Sequence, residues 1–497
     1  MKYVLGIDIG TGSVKAVAVD LQGNAFGDNQ QHYGFTSSKP GYYEQDPEQI
    51  WQGFGASIKG IINQTSEDPL AVGLSSAMHS LIAVDQNCRP LAPMMTWADN
   101  RSSSIAKRLR ATSEGIAIYR ATGTPLHAMS PLCKLIWLKE NDPALFHAAH
   151  KFISIKEYIW YKLFNEFTID YSIASSTGLF DIVNHIWHHE ALNLAGISED
   201  RLSLPVPTDY TKKYSSNGPL PDADIFKQGT PVTIAASDGC TANLGSMADK
   251  PGIAAITIGT SGAVRIASSI PLPNEAAMTF SYILDSQTYI CGGPINNGGI
   301  AMEWWSKNFS GPELTPTEYD EVFKQIGAMP AGCNGLIFLP YLTGERAPIW
   351  DSQSCGSFFG VQLQHTRSHF SRAVLEGICF ALRDVLESVQ QNSEPIIRVN
   401  VSGGFTKSEV WVQILADVTR KKMVVVQSED ASAVGAAFIA MKASGLAPAY
   451  PAPALADREL YLPNPASANV YAKNFNVYRQ LYLDLKETMH KVSTVSD

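Results

Sequence analysis

The sequence predicts an α/β protein built from two similar halves, and three observations carry that expectation. Residues 3–9 form an apolar run that breaks at Gly10-Thr11-Gly12-Ser13 and resumes over 14–20. The same design returns at 253–258, with Gly259-Thr260-Ser261-Gly262 as its tip and 263–266 as its second run. After each of these, strand-like and helix-like patterns alternate, with polar residues at the strand ends, where α/β proteins hold ligands. A chain of 497 residues is too long for one core. We place the domain boundary near 250, giving domains at 1–250 and 251–445, then a linker and C-terminal helix over 446–497.

In chain order, 3–9 and 14–20 read as paired strands, with a third near 25–35. Asp46-Pro47 is a helix start, an acidic cap followed by proline at the first position. Ile50, Phe54, Ile58 and Ile61 put one apolar face on a helix that runs to about 64. A strand at 71–75 follows, then a strand pair, 80–84 with 94–96. Helical spacing marks 102–112, 130–140 and 155–163. The run 205–229 is rich in Pro, Gly and Ser and reads as loop, 232–236 as strand, and 240–247 as helix. The second half adds strands near 289–291, 335–339, 398–402 and 423–426. Its helices fall at 300–308, 369–390, 407–419 and 432–443, with a last one near 475–490.

Composition excludes several classes. A net charge of −9 argues against general nucleic-acid binding and against a basic membrane surface. No apolar stretch approaches the ~20 residues of a membrane span, and Asp8 interrupts the N-terminal apolar run, which is therefore no signal peptide. Seven dispersed cysteines without a C-x-x-C pair suit free thiols in a reducing cytoplasm. His185, His188 and His189 cluster without a cysteine nearby and read as a solvated turn rather than a metal site. A homodimer is the default assembly.

Phosphate chemistry is the reading that unites the turns. Glycines at 10–13 and 259–262 let backbone N–H groups converge, Thr and Ser add hydroxyls, and Lys15 adds a charge. The P-loop and dinucleotide fingerprints are absent. Gly403-Gly404 opens a helix, and its missing side chains would let a flat base or ribose approach the backbone. Asp8 and Asp238 end strands of the first half. One could serve magnesium and the other accept a proton, as phosphoryl transfer requires. The helix start at Asp238 is expected to keep it ionised. His79, Trp97, Asp99 and Arg101 supply the plate, donors and acceptors that a polyol needs.

Two long patterns make the chain resemble the FGGY carbohydrate kinases. One is Met129-Ser130-Pro131-Leu132-Cys133-Lys134-Leu135 through Asn141, the other Gly356-Ser357-Phe358-Phe359-Gly360-Val361 through Gly377. The resemblance implies two RNase H-like domains of the actin/hexokinase-like ATPase type, with ATP and Mg2+ in the cleft between them. It implies Asp8 as the magnesium-linked aspartate and Asp238 as catalytic base. It assigns Thr11, Gly12, Ser13 and Lys15 to the first phosphate turn, although many members carry Arg in place of Lys15. Gly259 and Thr260 would form the second, and Gly299, Gly403, Gly404, Phe405 and Ser408 the adenosine pocket. Met78, His79, Trp97, Arg101 and Asp238 would face the sugar. Several stretches, among them Thr96-Trp97-Ala98-Asp99-Asn100-Arg101 and Ser237-Asp238-Gly239, look most like the family's gluconate kinases. Xylulose kinases come next and usually have Asp-Asn at 238–239. A sugar acid in so acidic a chain needs a local cation, and Arg101, Arg265 and Arg346 are the candidates. A non-catalytic sugar sensor is disfavoured, because both aspartates and both phosphate turns are intact.

Overall fold

Two sheets of one plan organise the chain. A computed structural model of the protein describes every residue except 216–224, 310–315, 392, 427–429, 454–458 and 494–497. The expected loop at 205–229 therefore lies partly outside the described residues. The first sheet is built from β1 (Tyr3–Ile9), β2 (Ser13–Asp20), β3 (Ala25–His32), β4 (Val72–Ser76), β5 (Thr211–Lys213) and β6 (Pro231–Thr233). Their order is β5-β6-β4-β1-β2-β3. The second contains β7 (Ile253–Ile258), β8 (Gly262–Ser268), β9 (Phe280–Asp285), β10 (Thr288–Ile295), β11 (Arg398–Ser402), β12 (Lys422–Val425) and β13 (Leu460–Tyr461). Their order is β9-β10-β8-β7-β11-β12-β13.

The two plans superpose in direction as well as order. β1 runs antiparallel to β2 and parallel to β4, and β4 runs parallel to β6. In the same way β7 runs antiparallel to β8 and parallel to β11, and β11 runs parallel to β12. Each hairpin tip thus sits beside the end of a parallel strand, at matching places in the two halves.

Helix α1 (Pro47–Thr65) starts where the sequence places it. The Asp46 carboxylate accepts from the Glu48 N–H at 2.9 Å, Pro47 takes the first turn, and Ile50, Phe54, Ile58 and Ile61 are buried against the first sheet. Later helices are α2 (Asp238–Gly245), α3 (Gly299–Phe309), α4 (Arg367–Gln390), α5 (Glu409–Thr419), α6 (Ala431–Ala443) and α7 (Ala468–Ser493). Three features differ from expectation. The segments near 80–84 and 94–96 share only a Leu81–Met95 bridge, since Ile82–Val84 pairs with Lys151–Ile153 and Met94–Met95 with Glu44–Gln45. Strand β9 and the helix Pro316–Ala328 add to the second half. The short apolar run of β9 has no period that separates strand from helix. The last helix begins at Ala468, ahead of the expected 475.

Packing departs from chain order. Although α6 follows β12 of the second sheet, it lies on β1 and β4 of the first and against α2. Beyond 445, β13 extends the second sheet, and Tyr471, Phe475 and Tyr478 of α7 surround Phe380 of α4. The division at 250 and 445 therefore follows the chain, and the packing units interleave it. Glycines make the α6 contact possible. A Cβ on Gly6 would lie 1.8 Å from the Ala433 carbonyl oxygen, and one on Gly73 2.1 Å from that of Ala436. On the α2 side, Gly435 backs onto Thr241 O and Gly245 onto Ala431 O at similar range. The obstructing atoms are backbone, so none can turn aside. Gly6→Ala should destabilise the protein by about 3 kcal/mol or more, read as a lower urea midpoint. A midpoint equal to wild type would show that α6 shifts freely on the sheet.

Candidate functional site

The α6 contact gathers the carboxylates. Asp8 stands near the end of β1, Asp238 begins α2, and Asp430 precedes α6. Asp8 Oδ1 accepts from the Ser75 hydroxyl at 2.9 Å, and Ser75 contacts Thr241 Oγ1, also at 2.9 Å. Burial pushes the Asp8 carboxyl up to about 7. The charge of Asp238 and, more weakly, Asp430 push the same way, while the Ser75 hydroxyl opposes them. Asp238 accepts from the Gly239 N–H at 2.6 Å. Its carboxyl is also raised, because burial outweighs the help of Arg265, the Gly239 N–H and Lys156. The support expected from the helix start is thus opposed by desolvation, which nearby cations partly offset.

Both turns expected to bind phosphate present donors. In the first, the Gly10 N–H closes the hairpin on Ser13 O at 2.9 Å, and Tyr33 OH donates to Gly10 O at 2.5 Å. Trp97 Nε1 donates to Thr11 Oγ1 at 2.9 Å, and Gln30 Nε2 to Ser13 Oγ at 2.7 Å. Each hydroxyl oxygen already accepts, so its own proton is free to point at an anion. Gly12 has open space where a side chain would stand. Lys15 is elsewhere: its ammonium pairs with Asp430 and, at 3.5 Å, with Asp28. The expected Lys15–phosphate contact is corrected to an ion pair that ties β2 to the start of α6.

A cavity of about 900 Å³ opens beside the second turn, lined by Gly259, Thr260, Gly299, Gly404, Phe405 and Ser408 among others. That volume suits a nucleotide-sized ligand. The Gly299 N–H donates to Gly259 O at 2.7 Å, which joins α3 to the turn. Gly403 has φ +110°, and a Cβ there would lie 2.3 Å from Ile258 O, so the position requires glycine. Gly404 faces open space. Phe405 packs on Trp411 at 5.7 Å and gives the cavity an aromatic wall. The Ser408 hydroxyl caps α5 by accepting from the Trp411 N–H, after a short 3-10 turn over 404–407. The helix proper therefore starts two residues later than expected.

The residues expected to face the sugar meet where the halves touch. His79 is buried, with φ +66°. Its Nδ1 bonds the Ser176 carbonyl at 2.8 Å, and its Nε2 lies 3.4 Å from the Tyr282 hydroxyl of the second half. Burial, reinforced by Lys134, drops the ring to about 3, so it stays neutral. Lys134, from the first long pattern, donates to the carbonyls of His79 and Thr96 at 2.5 and 2.7 Å. Arg346 Cζ lies 5.3 Å over the Trp97 ring, and its Nε and Nη2 donate to Asn296 Oδ1 and Ile295 O at 2.7 and 3.0 Å. Met78 is half-buried beside Gly239. Arg101 does not join this group as a free cation. It grips Asp99 at 2.7 and 2.8 Å and Glu44 at 2.5 Å, with Cζ 3.7 Å over Tyr42. Its assignment to the sugar is corrected to a structural ion pair.

Lys156 was not legible as a site residue. It is buried, donates to Asp170 Oδ2 at 2.8 Å and to Ala236 O at 2.9 Å, and helps hold Asp8 and Asp238 down. The one signal was a lysine inside the apolar helical run 155–163. Among the described residues no group of three or more His, Cys, Asp or Glu could hold a metal ion, and no helix is long and apolar enough to cross a membrane.

Paired sheets with donor-rich tips, a large cavity at one tip and carboxylates at the other define a phosphotransferase of the carbohydrate-kinase class. The profile of the FGGY carbohydrate kinases' N-terminal domain matches residues 3–245, and that of their C-terminal domain residues 254–444. A gluconokinase of Bacillus subtilis is 40% identical over 451 residues, covering 89% of this chain and 88% of that protein. A gluconate kinase of Lactobacillus acidophilus superposes with a TM-score of 0.92 at 32% identity over 99% of both chains. A ligand-bound xylulose kinase of the same organism gives the same TM-score and identity, over 99% of this chain and 100% of that one. The chain belongs to the FGGY family of carbohydrate kinases.

Asp8 carries a pH signature. Its pKa is near 3.9 unfolded and about 7 folded. Between those values the folded chain holds a proton that the unfolded chain has released, so this contribution to stability falls as pH rises through the window. Asp8→Asn should be more stable than wild type at pH 8, with the advantage vanishing below pH ~4. Urea midpoints across that range check it, and a variant less stable at pH 8 would contradict the raised pKa.

Proposed function

We propose that the protein transfers the γ-phosphoryl group of ATP to a sugar acid, D-gluconate, at its terminal hydroxyl, giving 6-phosphogluconate. The reading is carried by the Asp8–Asp238 pair set between two donor-bearing turns, and the relationship to gluconokinases supports the substrate. In this reading the cavity beside Gly259 and Thr260 takes the nucleoside, with its base against Phe405 and the Gly403–Gly404 backbone. The hydroxyls of Thr11 and Ser13 and the turn at 259–260 meet the phosphates. Asp238 accepts the proton of the attacking hydroxyl, and the halves shield the reaction from water. Met78, the neutral His79 ring and the Trp97 face position the sugar chain.

The residues present fit a magnesium ion. Burial chiefly, with the charges of Asp238 and Asp430 adding to it, raises Asp8, and a divalent cation would relieve the repulsive part. Magnesium commonly takes one or two protein carboxylates plus phosphates and water, so Asp8 suffices as its protein anchor. When bound, it would neutralise the phosphate oxygens.

Asp238→Asn should lower kcat by roughly 100- to 10,000-fold and leave the sugar KM nearly unchanged, because shape is kept and the proton acceptor is lost. Near-normal turnover would sink the base assignment. The substrate is tested by ADP release with D-gluconate, D-xylulose, L-ribulose, L-fuculose and glycerol. Gluconate should give the highest kcat/KM. If xylulose led and gluconate stayed at background, the gluconate reading would fall and the kinase reading would stand.

A further inference from the structure

Arg265 is a half-buried cation whose Nε is buried and lacks a partner. It rises from β8 of the second half and crosses to the first half, where its Nε lies 3.3 Å and its Nη2 3.8 Å from the place a Cβ on Gly239 would occupy. A side chain at 239 would press on the guanidinium, which glycine leaves free. Its Nε is buried without a hydrogen-bond partner, and among the described residues its guanidinium makes no hydrogen bond or ion pair. Three other cations with little exposed side chain are treated differently. Arg101 grips Asp99 and Glu44, Arg372 grips Glu376 and Tyr471, and Lys156 grips Asp170. An unpaired guanidinium with a buried Nε is costly unless an anion arrives to pair with it.

We propose that Arg265 reads the acid end of the substrate: seated in the space Gly239 leaves, its guanidinium pairs with the carboxylate of a polyhydroxy acid whose terminal hydroxyl is at Asp238. The inference rests on the sugar-acid reading above and names the residue that sets it. Asp238 itself does not satisfy Arg265, since no ion pair joins them, although each feels the other's charge. The guanidinium is therefore left open to a second anion. The phosphate turn is a poorer partner. Arg265 is four residues along β8 from Ser261, roughly 13 Å of strand. It stands beside Met78, whose Cε lies 3.1 Å from the same Gly239 position, and within the field of Arg346. Two guanidiniums close together make a local positive field in a chain of net charge −9.

The test compares wild type, Arg265→Gln, Arg265→Lys and Gly239→Ala, with gluconate as the acid, xylulose as the neutral comparison, and KM for ATP measured throughout. Arg265→Gln should raise the gluconate KM roughly 10- to 100-fold with a much smaller change in kcat, the range expected for a lost charge-assisted pair. The ratio of kcat/KM on gluconate to that on xylulose should fall accordingly. Arg265→Lys should recover part of the loss, as a point charge replaces a fork. Gly239→Ala, whose new methyl presses on the guanidinium, should raise the gluconate KM in the same direction, and it carries the test if Arg265→Gln does not fold. An unchanged gluconate KM, an equal loss on both sugars, or a loss falling on kcat and the ATP KM would overturn the proposal, the last pointing to a phosphoryl contact. Wild type idle on gluconate would overturn the substrate reading and this inference together. Wild type active on gluconate with an insensitive Arg265 would overturn this inference alone.

Discussion

The site depends on how closely α6 approaches β1, β4 and α2. Four glycines, Gly6, Gly73, Gly245 and Gly435, remove the side chains that would hold these backbones apart. The apolar residues around them, including Val4, Cys240, Ala433 and Ala437, share one core cluster with Phe280 and Tyr282 of the second sheet. That approach brings three chain segments, distant in sequence, to one corner. Each delivers an aspartate there, so the contact that packs the halves also concentrates negative charge.

The electrostatics follow from that corner. Three carboxylates in a desolvated space cannot all ionise freely, and Asp8 shows the strain as a carboxyl near 7. The protein answers with cations placed one step away. Lys156 lies beneath the pair, fixed by Asp170 and Ala236. Lys15 engages Asp430. Arg265 approaches from the other half without closing on Asp238. The result is a field balanced enough for folding and unsatisfied enough to favour both a cation and an anion as ligands.

Much of this was legible in the sequence, for reasons that particular residues show. The hairpins at 3–20 and 253–266 announce themselves by apolar runs broken at glycine–hydroxyl tips, and α1 by its Asp46-Pro47 start. Asp8 and the glycine turns were visible because they sit at strand ends, and Asp238 because it opens a helix, where type and position coincide. Lys15 and Arg101 were misread because a sequence shows a charge without its counterion; Asp430 and Glu44 lie 415 and 57 residues away respectively. Lys156 was missed for the same reason, as its partners become neighbours only in the fold. The helix α6 looked like the end of the second half, because sequence order hides that its small residues are shaped for the first sheet.

The path of α6 also constrains the mechanics. The chain passes from first half to second between α2 and β7, returns between β12 and α6, and crosses again between α6 and β13. Three covalent crossings join the halves, and the two helices that carry them, α2 and α6, are packed on each other. A single tether would allow the halves to swivel in any direction. Three tethers rooted in one helix pair leave essentially one axis, so any opening of the halves is a door-like swing. Asp238 and Asp430 stand at the jamb, where the arc of movement is shortest and their spacing is least disturbed.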